Sequence, residues 1–243
     1  KKFISVLKAL PMLLNLEDVT SYYGKTPILQ GIDLGVEEGH CLAVLGRNGV
    51  GKTTLVRTIM GLTTRMTGKL SIAGIDSTLK ETHERSSAGI GYIPQGRGIL
   101  PKFTVRENIL LGTFARNDQK RKIPDMCLEL FPYLAENLDK RAGQLSGGQQ
   151  QQLSIARALA TDPKVLLLDE PTEGIQPNIV QEIETTIHRL NTEVGLTLVL
   201  TEQHIKIARQ LAHEFVIMDR GRIEERGPIG ELTDELVEKH LTI

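Results

Sequence analysis

The chain has 243 residues, of which 40% are hydrophobic, with 29 Lys and Arg against 30 Asp and Glu. This length and apolar content suffice for one or two folded domains. The net charge of −1 and the absence of Trp argue against a general nucleic-acid binder, which normally carries a strong basic excess and stacking aromatics. We therefore expect no nucleic-acid partner.

The start of the chain, KKFISVLKALP (residues 1–11), is too short for a secretory signal and has no small-residue cleavage site. We expect residues 1–11 to be an extension outside the fold and residues 12–243 to form one domain. No apolar run approaches the ~18 residues that a membrane-spanning helix needs. The two cysteines, Cys41 and Cys127, lie far apart in apolar runs, which predicts two buried thiols and suits a reducing cytosol.

Short strands dominate the first part of the chain. Alternating apolar residues predict strands at Leu13–Val19 and Ile28–Val36, with SYYGKTP as the loop between them. The apolar run His40–Gly46 predicts a strand buried on both faces, and the helix after it can end at Gly61. Further short strands are predicted at Lys69–Ala73 and Gly89–Ile93.

Helical patterns dominate the middle of the chain, from Thr104 to about Leu159, and TVRE at its start has the spacing of a capping box between Thr104 and Glu107. Buried strands then return at Val165–Pro171 and Leu196–Gln203, separated by the helical run NIVQEIETTIHRL. The run EFVIMDRGRIEERG predicts a hairpin that turns at Asp219–Gly221. Strands alternating with helices predict an α/β fold with a parallel core sheet and a helical insertion at roughly 96–160.

The segment GRNGVGKT fits the phosphate-loop pattern G-x-x-x-x-G-K-[ST] at every defined position. Its glycines let the backbone curl so that amides point at a polyphosphate, and the following helix directs its positive end to the same anion. Lys52 supplies a charge to the phosphates, and Thr53 offers a hydroxyl to Mg²⁺. The candidate nucleotide-binding residues here are Gly46, Arg47, Asn48, Gly49, Val50, Gly51, Lys52, Thr53 and Thr54.

Two acids, Asp169 and Glu170, end the buried strand that begins at Val165. A carboxylate at this place can hold the Mg²⁺ shell. Adjacent strand residues point to opposite sides, so we expect one acid to face the metal and the other to face an attacking water.

A second anion-binding element is indicated by QLSGGQQQQLSIARAL (Gln144–Leu159). Ser146 and Gln149 have the spacing of a capping box. Gly147 and Gly148 are poor helix formers, so their presence in the first turn suggests that the backbone must closely approach an anion. One chain would then carry two phosphate-binding helix ends.

The phosphate loop, LSGGQ and LLLDE together resemble the ATP-binding subunits of ABC transporters, across essentially all of Met12–Ile243. The resemblance implies a P-loop NTPase core with a RecA-like parallel sheet, an antiparallel β subdomain and a helical insertion. It also implies a head-to-tail dimer, in which Ser146, Gly147, Gly148 and Gln149 close over the ATP that the partner's phosphate loop holds.

The same resemblance implies roles for several further residues. Tyr23 is similar to the aromatic residue that stacks on adenine, with its neighbour Tyr22 as the alternative. Gln95, after GYIP, is similar to the glutamine that contacts Mg²⁺ and water and senses the transmembrane partner. Asp169 would be the magnesium acid, and Glu170 the catalytic base that positions water.

Two departures from the family pattern concern hydrolysis. Gln176 stands near the place where the family usually has an Asp after the catalytic Glu. The usual switch His falls on Gln203, and His204 comes one residue late. A shift by one residue on an extended segment reverses the side-chain direction, so both Gln203 and His204 remain candidates for the switch residue.

The resemblance implies an enzyme that hydrolyses ATP with Mg²⁺ and energises import of a small solute. Implied partners are a second ATPase subunit, two transmembrane permease subunits and, indirectly, a periplasmic solute-binding protein. The expected place is the cytoplasmic face of the bacterial inner membrane, with a chain that is soluble when isolated. Gln203 and DEPTEGIQP resemble the branched-chain amino-acid and urea uptake branch, and GRNGVGKTT, PQGR and LSGGQQQQL together most resemble its urea-type subunit.

The residues alone leave two classes of solute open and argue against two other classes of P-loop protein. The solute can be urea or short amides, or it can be a branched-chain amino acid. A soluble ABC-type ATPase of DNA repair or translation usually has two cassettes or a long coiled-coil insertion, and neither is present in this sequence. A P-loop kinase or GTPase does not account for LSGGQ ahead of the acidic strand.

Overall fold

The computed structural model describes residues 12–241, so the predicted extension at residues 1–11 lies outside the described part. The strands are β1 (Met12–Tyr23), β2 (Thr26–Glu37), β3 (Cys41–Leu45), β4 (Arg65–Ile72), β5 (Ile75–Asp76), β6 (Ile90–Ile93), β7 (Val165–Asp169), β8 (Thr197–Glu202), β9 (Glu214–Asp219) and β10 (Arg222–Pro228). The helices are α1 (Lys52–Met60), α2 (Thr82–Ser87), α3 (Val105–Gly112), α4 (Asp125–Leu130), α5 (Pro132–Glu136), α6 (Gly147–Leu159), α7 (Pro177–Thr192), α8 (Ile205–Leu211) and α9 (Asp234–Leu241).

A six-stranded sheet in the order β10-β9-β3-β8-β7-β6 forms the centre of the molecule. Its strands run parallel except for β10, which pairs antiparallel with β9 at one edge, as the predicted hairpin requires. Successive residues of β3 enter different cores: Ala43 and Leu45 pack on one face, and Leu42 and Val44 on the other. The predicted α/β fold with a parallel sheet buried on both faces is confirmed.

The second sheet is antiparallel, with the order β2-β1-β4-β5. Its apolar side chains share one core with α1 and one face of the central sheet. The predicted loop SYYGKTP is wrong, because β1 continues through Tyr23 and only Gly24 and Lys25 form the turn. Gly24 has φ of 60°, which permits this tight turn. The Arg65 guanidinium lies over the ring of Tyr22, with its central carbon 4.1 Å from the ring centre.

The segment between β6 and β7 contains α3 to α6. Their buried side chains share a core with the face of the central sheet that is turned away from the antiparallel sheet. The capping box of α3 is confirmed: the amide of Thr104 donates to Glu107 Oε2 over 2.7 Å, and the amide of Glu107 to Thr104 Oγ1 over 3.1 Å. The expected helical run to Leu159 is broken between α3 and α6. Pro124 and Pro132 restrict where a helix can continue, because proline fits only the first turn. The boundary of the insertion stays a prediction.

Cys41 and Cys127 are both buried free thiols, as predicted. Burial raises the pKa of each thiol to about 12, so neither is a reactive thiolate at neutral pH. Between residues 12 and 241, none of the helices has the length and apolar character to cross a membrane.

Candidate functional site

The phosphate loop joins the carboxyl end of β3 to the start of α1. Gly49 and Gly51 have φ of 83° and 116°, backbone conformations that residues with a side chain rarely adopt. Because Gly51 precedes the first residue of α1, the free amides of that helix end face the loop. The loop borders a cavity of about 290 Å³, which is lined by Asn48, Gly49, Gly51, Lys52, Thr53, Thr54, Gln95 and Glu170.

Lys52 is buried under this loop. Its Nζ donates to the carbonyl oxygens of Gly46 at 2.8 Å and Arg47 at 3.1 Å. The same nitrogen lies 3.0 Å from Glu170 Oε1, and both side chains are almost fully enclosed. The lysine is therefore held inside the loop with a charge partner, at the cavity where a polyphosphate would lie.

Asp169 ends β7 beside the loop, and its Oδ1 accepts from Thr53 Oγ1 at 3.1 Å and from Thr201 Oγ1 at 2.9 Å. Burial raises the pKa of the Asp169 carboxyl, while these two hydrogen bonds act against the rise. Its Oδ2 is buried and has no hydrogen-bond partner among the described residues. A hydroxyl and a carboxylate with an unused buried oxygen are donors that suit Mg²⁺, so the residues present fit this ion.

Glu170 does not alternate with Asp169 as the next residue of a strand would. Its φ of 48° takes it out of the strand, and its amide donates to Thr201 Oγ1 at 3.1 Å. Asp169 reaches Thr53, and Glu170 reaches Lys52, so both acids contact the phosphate loop and its helix. A left-handed residue at the strand end, sparsely populated for non-glycine residues, produces this convergence.

Gln95 follows β6 and lines the same cavity, where its Nε2 donates to Glu173 Oε2 over 2.7 Å. Tyr23 is not among the described residues that line the cavity. It hydrogen-bonds Arg57 of α1, which raises the pKa of that guanidinium. The ring of Tyr22 is covered by Arg65, whereas Tyr23 is 37% exposed. Tyr23 is therefore the more accessible of the two rings for stacking.

The switch candidates Gln203 and His204 face different surroundings. Gln203 Nε2 donates to Glu170 Oε2 over 3.2 Å. His204 lines a separate cavity of about 440 Å³ beside the loop Thr172–Ile175 and α7. Of the two predicted candidates, the structure brings Gln203 to Glu170.

The LSGGQ segment forms the predicted capping box at the start of α6: the amide of Ser146 donates to Gln149 Oε1 at 2.9 Å, and the amide of Gln149 to Ser146 Oγ at 3.3 Å. Packing within the chain explains the glycine at position 148, because a Cβ there would overlap the side chain of Ile179. A Cβ on Gly147 would meet only the end of the flexible Arg97 side chain, at 3.1 Å.

The four residues Ser146, Gly147, Gly148 and Gln149 are not among the described residues that line the chain's own phosphate-loop cavity. The structure therefore does not bring the two phosphate-binding elements of the sequence together within one subunit.

Three residues of the site were not predicted from the sequence. Thr201 contacts both acids, Glu173 holds Gln95, and the buried Glu202 accepts from Thr172 Oγ1 at 2.9 Å. The only sequence signal was a threonine and an acid in the apolar run that leads to Gln203. Polar residues at the carboxyl end of a core strand lie where α/β proteins bind ligands.

Comparison with known proteins agrees with this geometry. The sequence model of the family described as ABC transporter matches residues 29–173. The chain is 37% identical to the high-affinity branched-chain amino acid transport ATP-binding protein BraG of Pseudomonas aeruginosa, over 87% of this chain and 91% of that one. It is 33% identical to the probable branched-chain amino acid transport ATP-binding protein LivF of Archaeoglobus fulgidus, over 87% and 90%.

The fold is likewise similar to a solved dimer of the ATP-binding cassette MJ0796 bound to ADP and Pi. The TM-score is 0.76 at 28% identity, and the likeness covers 89% of this chain and 98% of that one. The family match spans the phosphate loop, LSGGQ and both acids. The chain is therefore a member of the ABC transporter family, as an ATP-binding, ATP-hydrolysing subunit.

Proposed function

We propose that the chain powers import of a small solute by hydrolysing ATP at the cavity beside the phosphate loop. The observation that carries this proposal is the convergence of Lys52, Asp169 and Glu170 on that loop, from β7 and α1. Phosphoryl transfer needs positioned charge around the γ-phosphate rather than covalent chemistry, and these side chains supply it.

Each residue then has a distinct task. The amides at the start of α1 and the Lys52 ammonium bind the phosphates. Thr53, Asp169 and Gln95 would hold Mg²⁺, which when bound neutralises charge on the phosphates. Glu170 orients the attacking water and accepts its proton.

Gln203 holds the second oxygen of the Glu170 carboxylate over 3.2 Å. This contact leaves Oε1 of Glu170 for the water once Lys52 turns to the phosphate.

The second phosphate-binding helix end serves the partner subunit in this proposal. Ser146 is exposed at the tip of α6, and Gly147 is not required by packing in its own chain. Its bare backbone and the helix amides are suited to closing over a γ-phosphate held by another subunit. Two subunits in a head-to-tail arrangement would then form two shared sites.

The permease contact is proposed on the exposed apolar side chains of the segment that follows Gln95. Phe103 is 42% exposed, Leu111 38% and Phe114 68%. Exposed apolar side chains are available for contact with a partner, and a contiguous patch of them marks an interaction surface. Their contact with two membrane subunits would place the chain at the cytoplasmic face of the bacterial inner membrane, with a periplasmic solute-binding protein acting on the other side.

Branched-chain amino acids are the first candidate solute, because both curated relatives described above carry that transport in their names. Urea or short amides are the second candidate. The motifs GRNGVGKTT, PQGR and LSGGQQQQL together favour this candidate, because they resemble the urea-type subunit.

The test of this proposal is co-purification of the tagged chain from its own membranes, followed by uptake in cells with and without the gene. Labelled leucine, urea and acetamide would be supplied separately. Loss of leucine uptake alone supports the first candidate, and loss of urea or acetamide uptake supports the second. Recovery without membrane proteins, together with unchanged uptake of all three, contradicts the import function and favours a soluble ATPase.

A further inference from the structure

Glu202, the last residue of β8, is a carboxylate that the proposed reaction does not use. It is 2% exposed. Its Oε1 accepts from Thr172 Oγ1 at 2.9 Å, and its Oε2 accepts from the amides of Gln203 at 3.1 Å and His204 at 3.3 Å. All of these partners lie in the two loops that border the acids of the site.

These bonds connect two separate segments of the chain. Thr172 lies two residues after Glu170, whereas Gln203 and His204 form the turn that leads from β8 into α8. The His204 side chain does not cap α8. The Glu202 carboxylate instead accepts from the amides of Gln203 and His204, which precede the helix. The turn and the acid loop are thereby held to one carboxylate.

Both carboxylate oxygens of Glu202 act as hydrogen-bond acceptors. An ionised carboxylate accepts at each oxygen, and hydrogen bonds to a charged acceptor are stronger than neutral ones. A glutamine in its place can keep its oxygen for the two amides and turn its NH₂ group to the Thr172 hydroxyl, which accepts as well as donates. Replacement of Glu202 by Gln therefore keeps the size of the side chain and exchanges a charged acceptor for a neutral one, which weakens the bonds from the amides of Gln203 and His204.

We propose that Glu202 is a positioning residue for hydrolysis. It fixes the backbone of the turn so that Gln203 points to Glu170, while His204 points to the cavity beside α7. The inference rests on the proposed roles of Glu170 and Gln203. Without this connection, the turn is free to rotate, and the Gln203 contact with Glu170 Oε2 is lost.

The test is steady-state ATP hydrolysis by the purified chain with Glu202→Gln, Gln203→Ala and the double variant. Glu202→Gln should lower kcat by about 10-fold, because two amides exchange a charged acceptor for a weaker neutral one, with an unchanged KM for ATP. Because the effect passes through Gln203, Glu202→Gln should lower kcat no further when Gln203→Ala is already present. Thr172→Val, which removes only the Oε1 bond, should act in the same direction.

Glu107→Gln is the matched control. Glu107 also accepts an amide and a hydroxyl, at the start of α3, and its substitution should leave kcat unchanged. The thermal midpoint of each variant separates positioning from folding.

Two results overturn the proposal: an unchanged kcat in Glu202→Gln, or losses that multiply independently in the double variant. If Glu170→Gln lowers turnover while Glu202→Gln does not, the positioning role fails and the proposed function stands. If Glu170→Gln also hydrolyses ATP normally, the proposed function fails first.

Discussion

Lys52 Nζ lies 3.0 Å from Glu170 Oε1 in a buried ion pair that joins the phosphate loop to the proposed catalytic base. A γ-phosphate entering the loop must compete with Glu170 for this lysine. When Lys52 turns to the phosphate, the Glu170 carboxylate loses its cation and keeps its contact to Gln203. In the proposed mechanism, the same movement would bind the nucleotide and free the base.

Lys52→Ala should weaken ATP binding by about 10-fold or more, because a charge-assisted contact to phosphate is lost. Isothermal titration with ATP measures this directly. The substitution also leaves Glu170 buried without its cation, which lowers stability, so the thermal midpoint must be recorded. Lys69→Ala removes a lysine whose side chain is 79% exposed and serves as the control. Unchanged ATP affinity in folded Lys52→Ala counts against the phosphate-loop assignment.

Gln203→Ala and His204→Ala should differ in turnover. Replacing the residue that contacts Glu170 and the reacting phosphate should lower kcat by roughly 10²-fold, as the loss of an oxyanion-type donor does. The contact from Gln203 to Glu170 assigns this cost to Gln203, and His204→Ala should cost little. Single-turnover hydrolysis with matched protein concentrations makes the comparison. Equal, small effects would show that neither side chain is the switch.

The LSGGQ segment should complement a defective phosphate loop across two chains. Lys52→Ala spoils the loop and keeps α6 sound, while Ser146→Arg places a bulky cation at the helix end and keeps the loop sound. In a mixture, one of the two shared sites pairs two intact elements. ATP-dependent dimerisation, measured by light scattering, should return in the mixture and be absent from each variant alone.

If the mixture stays monomeric, a second mixture is needed. This second mixture tests pairing with a different ATPase subunit: the reciprocal variants are repeated with that partner. Failure in both mixtures means that LSGGQ does not act on a neighbouring nucleotide.

The two glycines of LSGGQ should differ in their effect on stability. Gly148→Ala places a Cβ into Ile179 of α7 and should cost about 1–3 kcal/mol, the usual range for overpacking. Gly147→Ala meets only the flexible end of Arg97 and replaces a poor helix former, so it should not destabilise the chain. Urea unfolding compares them. Equal stabilities would remove the packing reason for Gly148.

The fold was largely predictable because its signals are local. Apolar runs mark the buried strands β3, β7 and β8, and the capping boxes at Thr104 and Ser146 mark the starts of α3 and α6. The helices α2, α8 and α9 were not predicted from the sequence. The first two have six and seven residues, and α9 has no buried residue, so none carries a long apolar periodicity.

The motif spacing points to Lys52, Asp169 and Glu170, which the structure brings together, but their contacts were less predictable. The left-handed backbone of Glu170 goes with the hydrogen bond from its amide to Thr201 on the neighbouring strand, which the spacing does not show. In the same way, periodicity alone leaves the choice between Gln203 and His204 open. That choice depends on contacts of the turn with the loop after β7, from Gln203 to Glu170 and from Thr172 to Glu202, which no local pattern encodes.

Glu170→Gln gives the most direct test of the account, because it removes a charge and changes almost no volume. ATP binding and steady-state hydrolysis are measured on the same preparation. The account predicts that the variant binds ATP, forms an ATP-dependent dimer and hydrolyses ATP at least about 100-fold more slowly than the parent, since a general base contributes that much or more. Turnover comparable to the parent, with ATP binding intact, would contradict the role of Glu170 as the base.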